Sequence, residues 1–250
     1  MTLILTELTD LGIAMATDSA VTYTNNITGL SHVRPNKAKK LQVVPYLNAG
    51  ISCWGMGTIS GISTDQWLSD FIASNSSWNT LKDFASNLAR ELNANLQPNT
   101  SGEGRIGFHL AGYEEYKGVP TPSFYHIHDG PSTTLQQRGI TIDPYQVNPN
   151  HDIPPDIFQN CAPWITRNGD YELYATIFDL LEDFFNKLEP MGIIIPASQN
   201  LLDRVEYLIF QIRTVSEIYR LSNLVPGIGG GIHYLTINQA GIHSQGIRFF

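Results

Sequence analysis

Cysteine is scarce in this 250-residue sequence, which contains only Cys53 and Cys161. Two cysteines cannot form a disulfide framework, and these two lack the close spacing of metal-ligand pairs. This usage is typical of a protein from a reducing compartment. We therefore expect a cytoplasmic location.

Basic residues and long hydrophobic runs are also in short supply. Lys and Arg total 15 against 23 Asp and Glu, for a net charge of −8, which disfavours binding to nucleic acid or to an anionic membrane. No apolar run approaches the length of a membrane span, and no basic region precedes the apolar residues near the N-terminus. We expect a soluble, non-secreted protein that binds neither nucleic acid nor a membrane.

Two local patterns are typical of cofactor sites, and both are incomplete. His126 and His128 alternate beside Asp129, but a third suitably spaced metal ligand is missing. The glycines at 227–231 lack the preceding strand and following helix of a phosphate-binding turn. We therefore predict no metal and no other cofactor.

The N-terminal residues are the most informative part of the chain. Apolar residues concentrate over 3–8 and 11–15, and the residues at 10–12 between them suit a tight reversal, so we predict a β-hairpin. A small second residue such as Thr2 permits removal of Met1. Thr2 would then carry a free amine beside its own hydroxyl, which places nucleophile and base on one residue.

The second strand of this hairpin carries Asp18, sixteen positions after Thr2. Alternation puts Ala14 and Ala16 on the same face as Asp18, which predicts room beside the carboxylate. The alternative for Asp18 is an ordinary turn or strand-end carboxylate. The alternative for Thr2 is an ordinary residue of an edge strand.

Pairs of predicted strands alternate with pairs of predicted helices along the rest of the chain. Strands are predicted at 39–44, 50–54, 106–111, 123–128, 232–237 and 247–250, and helices at 65–73, 81–92, 171–188 and 198–221. The helix at 171–188 has an apolar stripe of Leu173, Ile177, Leu180, Leu181, Phe184 and Leu188. This order suits one α+β domain over 1–250, a four-layer αββα sandwich of two antiparallel sheets.

Three segments interrupt this pattern. The polar stretch 23–36 is predicted to be a loop, and Pro120 and Pro122 are predicted to lie in a connection between strands. The segment 131–163 is rich in Pro and Asn and has weak periodicity, so we predict a long surface excursion.

Four phrases of the sequence resemble β-type subunits of the proteasome, which are threonine-dependent N-terminal-nucleophile (Ntn) hydrolases. They are residues 14–22 (AMATDSAVT), 39–44 (KKLQVV), 112–113 with 124–130, and 229–237 with 241–242. The resemblance follows the order of the chain over most of its length. It is strongest before residue 60.

The resemblance implies roles for three side chains. Thr2 would be the nucleophile, Asp18 the acidic residue at the family's spacing, and Lys40, directly before a Leu, the active-site lysine. Strand alternation separates Lys40 from Lys39, which leaves Lys39 and Lys37 as charges on a solvated edge. We therefore predict that only Lys40 of these three lysines is functional.

The resemblance also implies an oxyanion site at Gly55 or Gly57, whose backbone N–H would stabilise the negative oxygen of a transition state. The alternative is that these glycines only make a tight connection from strand to helix.

The sequence departs from the family at two places. Active members carry an Asp and a Ser before the late glycine turn, where this chain has Val225-Pro226-Gly227-Ile228. Another supporting Ser is replaced by the Arg167-Asn168-Gly169 stretch, in which Asn168 is the candidate substitute.

Three functions therefore stay open. The first is a threonine-type peptidase or amidase acting on a peptide or amide substrate. The second is a catalytically silent proteasome-like subunit that assembles by self-association into a ring. The third is an unrelated binding protein on the same sandwich, because a fold does not determine a function.

Overall fold

The computed structural model describes residues 2–24, 31–34, 37–96, 106–129, 146–148, 164–169, 171–195, 200–223 and 227–249. Its strands are β1 (Leu3–Thr9), β2 (Gly12–Asp18), β3 (Val21–Thr24), β4 (Ser31–Arg34), β5 (Leu41–Val44), β6 (Ala49–Gly55), β7 (Thr58–Ile59), β8 (Ile62–Ser63), β9 (Ile106–Tyr116), β10 (Val119–His128), β11 (Gln146–Asn148), β12 (Trp164–Gly169), β13 (Ile232–Asn238) and β14 (Gly241–Arg248). Its α-helices are α1 (Thr64–Ser74), α2 (Leu81–Asn95), α3 (Tyr171–Leu188) and α4 (Leu201–Leu221).

Two five-stranded sheets form the centre of the structure. The first has the order β12-β1-β2-β13-β14 and the second the order β11-β10-β9-β6-β5. All pairings within them are antiparallel. The predicted N-terminal hairpin is confirmed as β1 and β2, with Ile4 opposite Thr17.

Three buried clusters hold the layers together. Residues such as Met15 of the first sheet and Phe124 of the second pack between the sheets. Helices α1 and α2 cover the outer face of the second sheet, and α3 and α4 cover the outer face of the first. The predicted four-layer αββα sandwich is therefore confirmed.

Helices α2 and α4 begin where a polar side chain caps the first turn. Thr80 Oγ1 accepts the Asp83 N–H at 3.0 Å, and Asn200 Oδ1 accepts the Asp203 N–H at 3.0 Å. Both bonds satisfy a backbone donor that has no partner inside the helix.

Ala14 and Ala16 of β2 lie in the cluster under helices α3 and α4. Their small side chains therefore make room for the helical layer. The room that they are predicted to leave beside Asp18 stays a prediction.

The prediction of a loop over 23–36 was wrong for the described part of that stretch. Strands β3 and β4 form a two-stranded hairpin in which Val21 lies opposite Arg34 and Tyr23 opposite His32. β-Branched and aromatic residues in this stretch favour extended backbone, which outweighs its overall polarity.

The prediction that Pro120 and Pro122 lie in a connection was also wrong, because both lie within β10. Within the described residues, they pair with Glu115 and Tyr113 of β9 and with no strand on the other side. Strand β11 reaches only His126 to His128 on the other side. Proline is tolerated there because its missing N–H removes no bond to any described strand on that side.

Helix α3 has the predicted bounds, but its buried face differs from the predicted stripe. Leu180 and Phe184 are 64% and 53% exposed, whereas Tyr174, Phe178 and Phe185 are buried. Apolar residues occupy more than one face of this helix, so sequence periodicity alone did not identify the face that packs on the sheet.

The remaining predictions differ from the structure mainly in where an element begins or ends. The last strand begins directly after its turn, at Gly241, instead of at residue 247. Most of the predicted excursion at 131–163 lies outside the described residues, apart from β11. Among the helices that the structure describes, none is long and apolar enough to cross a membrane.

Candidate functional site

Asp18 and Lys40 form a buried ion pair next to the N-terminus. Lys40 Nζ lies 3.0 Å from Asp18 Oδ1 and 3.1 Å from Oδ2, and both side chains are almost fully shielded from solvent. Asp18 Oδ1 also accepts the Leu3 N–H at 2.9 Å, and Oδ2 accepts the Ala20 N–H at 3.0 Å. The carboxylate therefore fixes Lys40 and the backbone directly after Thr2.

Strand β12 holds Thr2 from the other side. Gly169 lies opposite Leu3 in the pairing of β12 with β1, and its φ is +115°. A Cβ atom at this position would overlap the Thr2 carbonyl. Glycine is therefore required where β12 passes Thr2.

Thr2 and Lys40 line one cleft of about 340 Å³, and Gly55 and Gly57 line it as well. Asp18 lies behind Lys40 and contacts the cleft through it. The structure thus brings together all five residues that the resemblance singled out. Their chemical roles stay predictions.

Gly55 and Gly57 differ in their backbone requirements. Gly55 has a φ of +92°, which L-residues rarely adopt. A Cβ at Gly57 would meet nothing within 4 Å, and the Gly57 carbonyl accepts the Thr64 N–H at 3.0 Å where α1 begins. Both observations fit the tight-connection alternative, and both leave the oxyanion role as a prediction.

The three neighbouring lysines lie in different environments. Lys40 is buried, whereas Lys37 and Lys39 are exposed. The backbone N–H of Lys39 donates to Asp65 Oδ2 at 3.0 Å. Although burial alone would raise the pKa of Asp65, hydrogen bonds from Ser63 and backbone N–H groups hold it below its ordinary value.

Cys53 also lines the cleft and is 4% exposed. Burial raises the pKa of its thiol to about 12, although the nearby Lys40 charge lowers it. Because only the thiolate is strongly nucleophilic, Cys53 is poorly suited to attack a substrate at neutral pH. Cys161 lies outside the described residues.

The turn that contains Gly229 also supports Asp18. The Gly229 carbonyl accepts the N–H groups of Ser19 and Ala20 at 3.2 and 3.0 Å, and the Gly229 N–H lies 3.4 Å from Asp18 Oδ2. Ser216 Oγ of α4 donates to the neighbouring Ile228 carbonyl at 3.3 Å. Sequence reasoning missed Ser216, since nothing in the local pattern links it to this turn.

The side chain of Asn168, the candidate substitute for the family's supporting Ser, is hydrogen-bonded within the protein. Its Oδ1 accepts from His109 Nε2 at 2.6 Å, and His109 Nδ1 lies 3.0 Å from Thr6 Oγ1. These hydrogen bonds link the first sheet to the second through His109, which is fully buried. His109 and Thr6 were missed because they lie on separate strands far apart in the sequence.

His126 and His128 are stacked with ring centroids 4.3 Å apart, and His126 also meets His109 edge-on at 5.3 Å. Within the described ranges, no group of three or more His, Cys, Asp or Glu side chains is arranged to hold a metal ion.

His233 of β13 provides a test of the charges around the ion pair. Burial lowers its pKa, as do Lys39 and Lys40, while Asp18 opposes them. Below the ordinary histidine pKa of about 6.5, the unfolded chain binds this proton more readily than the native protein. Stability is therefore full above that pH and falls as the solution is acidified towards the lower native pKa.

We accordingly expect His233→Gln to reduce the loss of stability between pH 7 and pH 5. Urea unfolding midpoints of wild type and variant across this range measure the effect. His32→Gln, at an exposed position, is the control. Equal acid sensitivity of wild type and His233→Gln would show that the charge environment of His233 is wrongly assigned.

The four-layer αββα sandwich places the chain in a proteasome-like structural class by its fold. Among solved structures, the chain is similar to an Anbu (Gly-1) mutant from Hyphomicrobium sp. strain MC1, with a TM-score of 0.56 and 12% sequence identity over 100% of this chain and 87% of that chain. Anbu is proteasome-like, and at this identity the likeness shows the fold alone. No family model and no curated protein matches the sequence.

Proposed function

We propose that the chain is a threonine-type Ntn hydrolase that cleaves peptide or amide bonds. The observation that carries this proposal is the buried Asp18–Lys40 pair beside Thr2, in a cleft also lined by Gly55 and Gly57. A buried ion pair is a costly element for stability alone, and this one lies where a nucleophile would need a fixed positive charge.

In the proposed reaction, Thr2 Oγ1 attacks the substrate carbonyl and its proton passes to the Thr2 amine, directly or through a water. The Lys40 cation favours the deprotonated forms of the amine and hydroxyl. The backbone N–H of Gly55 or Gly57 stabilises the oxyanion. Collapse breaks the C–N bond as the leaving amine takes the proton, and water then hydrolyses the ester to regenerate Thr2.

Asp18 has a positioning role in this scheme. Its two oxygens bind Lys40 and the N–H groups of Leu3 and Ala20. It therefore fixes the ammonium relative to the backbone that carries Thr2, without contacting the substrate.

Hydrolysis of a panel of fluorogenic peptides by wild type and Thr2→Ala tests the proposal. Alanine is also a small second residue, so Met1 removal is expected in both proteins and only the hydroxyl differs. We expect cleavage by wild type and loss to background in Thr2→Ala, with Cys53→Ala unchanged. Cleavage that survives Thr2→Ala, or that Cys53→Ala abolishes, would contradict the role of Thr2.

The second candidate is a catalytically silent subunit acting in assembly, and exposed apolar side chains on the α3–α4 layer favour it. They include Leu180, Phe184, Met191, Ile194, Phe210 and Leu221, which are 42% to 74% exposed. Apolar residues concentrated on one layer mark interaction surfaces more often than scattered ones do.

Both candidates predict self-association into a closed ring, because cyclic symmetry satisfies all copies of an apolar surface. Light scattering coupled to size-exclusion chromatography is expected to give a mass several times the 27.8 kDa of one chain. Phe184→Glu should lower that mass, while Glu91→Gln on the opposite layer should not. A mass of one chain at all concentrations would contradict the assembly.

A further inference from the structure

A second cavity, of about 380 Å³, lies between β12 and helices α3 and α4. It shares no lining residue with the Thr2 cleft, and the proposed hydrolysis does not use it. Phe178, Phe185 and Tyr207 contribute aromatic walls, and Arg167 and Arg204 contribute two guanidinium groups.

The Arg204 guanidinium already has an anionic partner. Its Nε donates to Glu7 Oε2 at 2.8 Å and its Nη2 donates to Glu7 Oε1. Glu7 is fully buried and Arg204 is 5% exposed. The positive charge of Arg204 is therefore matched inside the core.

Among the residues that the structure describes, the Arg167 guanidinium has no such partner. Its central carbon lies 3.6 Å from the ring centroid of Phe178 and 5.5 Å from that of Tyr174. Its Nε is buried and, within the described part of the chain, makes no hydrogen bond. No ion pair with a described carboxylate compensates for this. An always-charged guanidinium that lines a cavity without a described counter-ion favours an anion beside it.

We propose that this cavity binds a small monocarboxylate with an apolar or aromatic body. Arg167 would donate to the carboxylate, and Phe178 and Phe185 would contact the body. The volume lies within the usual range of small-molecule pockets, which are mostly apolar with a few polar groups that fix orientation. This proposal is independent of the chemistry at Thr2.

The charge balance of the cavity favours a single negative charge on the ligand. Arg167 supplies one positive charge that no described carboxylate pairs with, and Glu182 is an exposed acid on the same lining. A dianion such as a phosphate ester would meet more repulsion from Glu182 and find no second free guanidinium. A carboxylate matches the planar fork of one arginine.

The proposal is tested by comparing the binding of 3-phenylpropionate with that of its neutral isostere, 3-phenylpropanamide. Calorimetry and ligand-observed NMR on the full chain measure both affinities. We expect the acid to bind at least about tenfold more tightly than the amide, an amount typical of one charge-assisted contact. N-Acetylphenylalanine and its amide, run in parallel, show whether a peptide C-terminus is the better source of the carboxylate.

Two variants act in opposite directions. Arg167→Met is expected to weaken binding of the acid at least about tenfold, because it keeps the side-chain length and removes the charge. Glu182→Gln, at an exposed position, is expected to strengthen it by removing repulsion. Arg248→Met on β14, at the opposite edge of the first sheet, is the control, and thermal unfolding checks that each variant is folded.

Equal binding of acid and amide, or no binding of either acid to wild type, would overturn the proposal. Unchanged binding in Arg167→Met would overturn it as well. The Glu182→Gln result remains informative if Arg167→Met fails to fold, since weaker or unchanged binding in Glu182→Gln would contradict a carboxylate in this cavity.

Discussion

Lys40→Ala is expected to lower hydrolysis at Thr2 by more than about tenfold, which corresponds to roughly 1.4 kcal/mol of barrier. Lys40 Nζ is held 3.0 Å from Asp18 Oδ1 in the wall of the Thr2 cleft. Lys37→Ala and Lys39→Ala should change the rate little, because both side chains are exposed, Lys37 at the cleft and Lys39 outside its lining. Rates of peptide cleavage by the three variants measure the difference.

Lys40→Ala also leaves the Asp18 carboxylate buried without its counter-ion, which costs stability. A Lys40→Ala, Asp18→Asn double variant removes both charges and separates the two effects. We expect it to recover stability in urea unfolding but not activity. Equal losses in all three lysine variants, or full activity in the double variant, would overturn the assignment of Lys40.

Arg204→Met is expected to reduce the free energy of unfolding by about 3–5 kcal/mol, since it leaves Glu7 as an unpaired buried charge. Glu7 is fully buried, and its described ion-pair partner is Arg204. The double variant Glu7→Gln, Arg204→Met should recover much of the loss, because no buried charge remains. Urea denaturation of the single and double variants measures both changes.

The exposed pair of Arg248 with Glu206 is the matched control for this experiment. The side chains are 43% and 49% exposed, so breaking the pair should cost no more than about 1 kcal/mol. If Arg204→Met costs no more than Arg248→Met, the buried pair does not contribute as the structure indicates.

Local pattern predicted those parts of the fold that depend on short-range chemistry. The hairpin of β1 and β2 follows from apolar residues on both sides of a turn at Gly12, and α2 and α4 follow from helical periodicity. The buried stripe predicted for α3 was wrong at Leu180 and Phe184, because several faces of that helix are apolar. Only the position of the first sheet decides which face is buried.

The candidate site was predicted through resemblance, and strand alternation added the separation of Lys39 from Lys40. Contacts between distant segments were not predicted. Glu7 and Arg204 are 197 positions apart in the sequence, and Asn168 meets His109 across two sheets. Such pairs depend on how strands and helices pack, which no local pattern of residues encodes.

An intact-mass measurement tests the role of Thr2 most directly. The protein comes from cells with normal methionine processing and is measured before and after treatment with a β-lactone that acylates hydroxyl nucleophiles. The predicted result is a chain that starts at Thr2 and gains one adduct, which peptide mapping places on Thr2 and which Thr2→Ala lacks. Retention of Met1 in most molecules, or an adduct located on any other residue, would contradict the account.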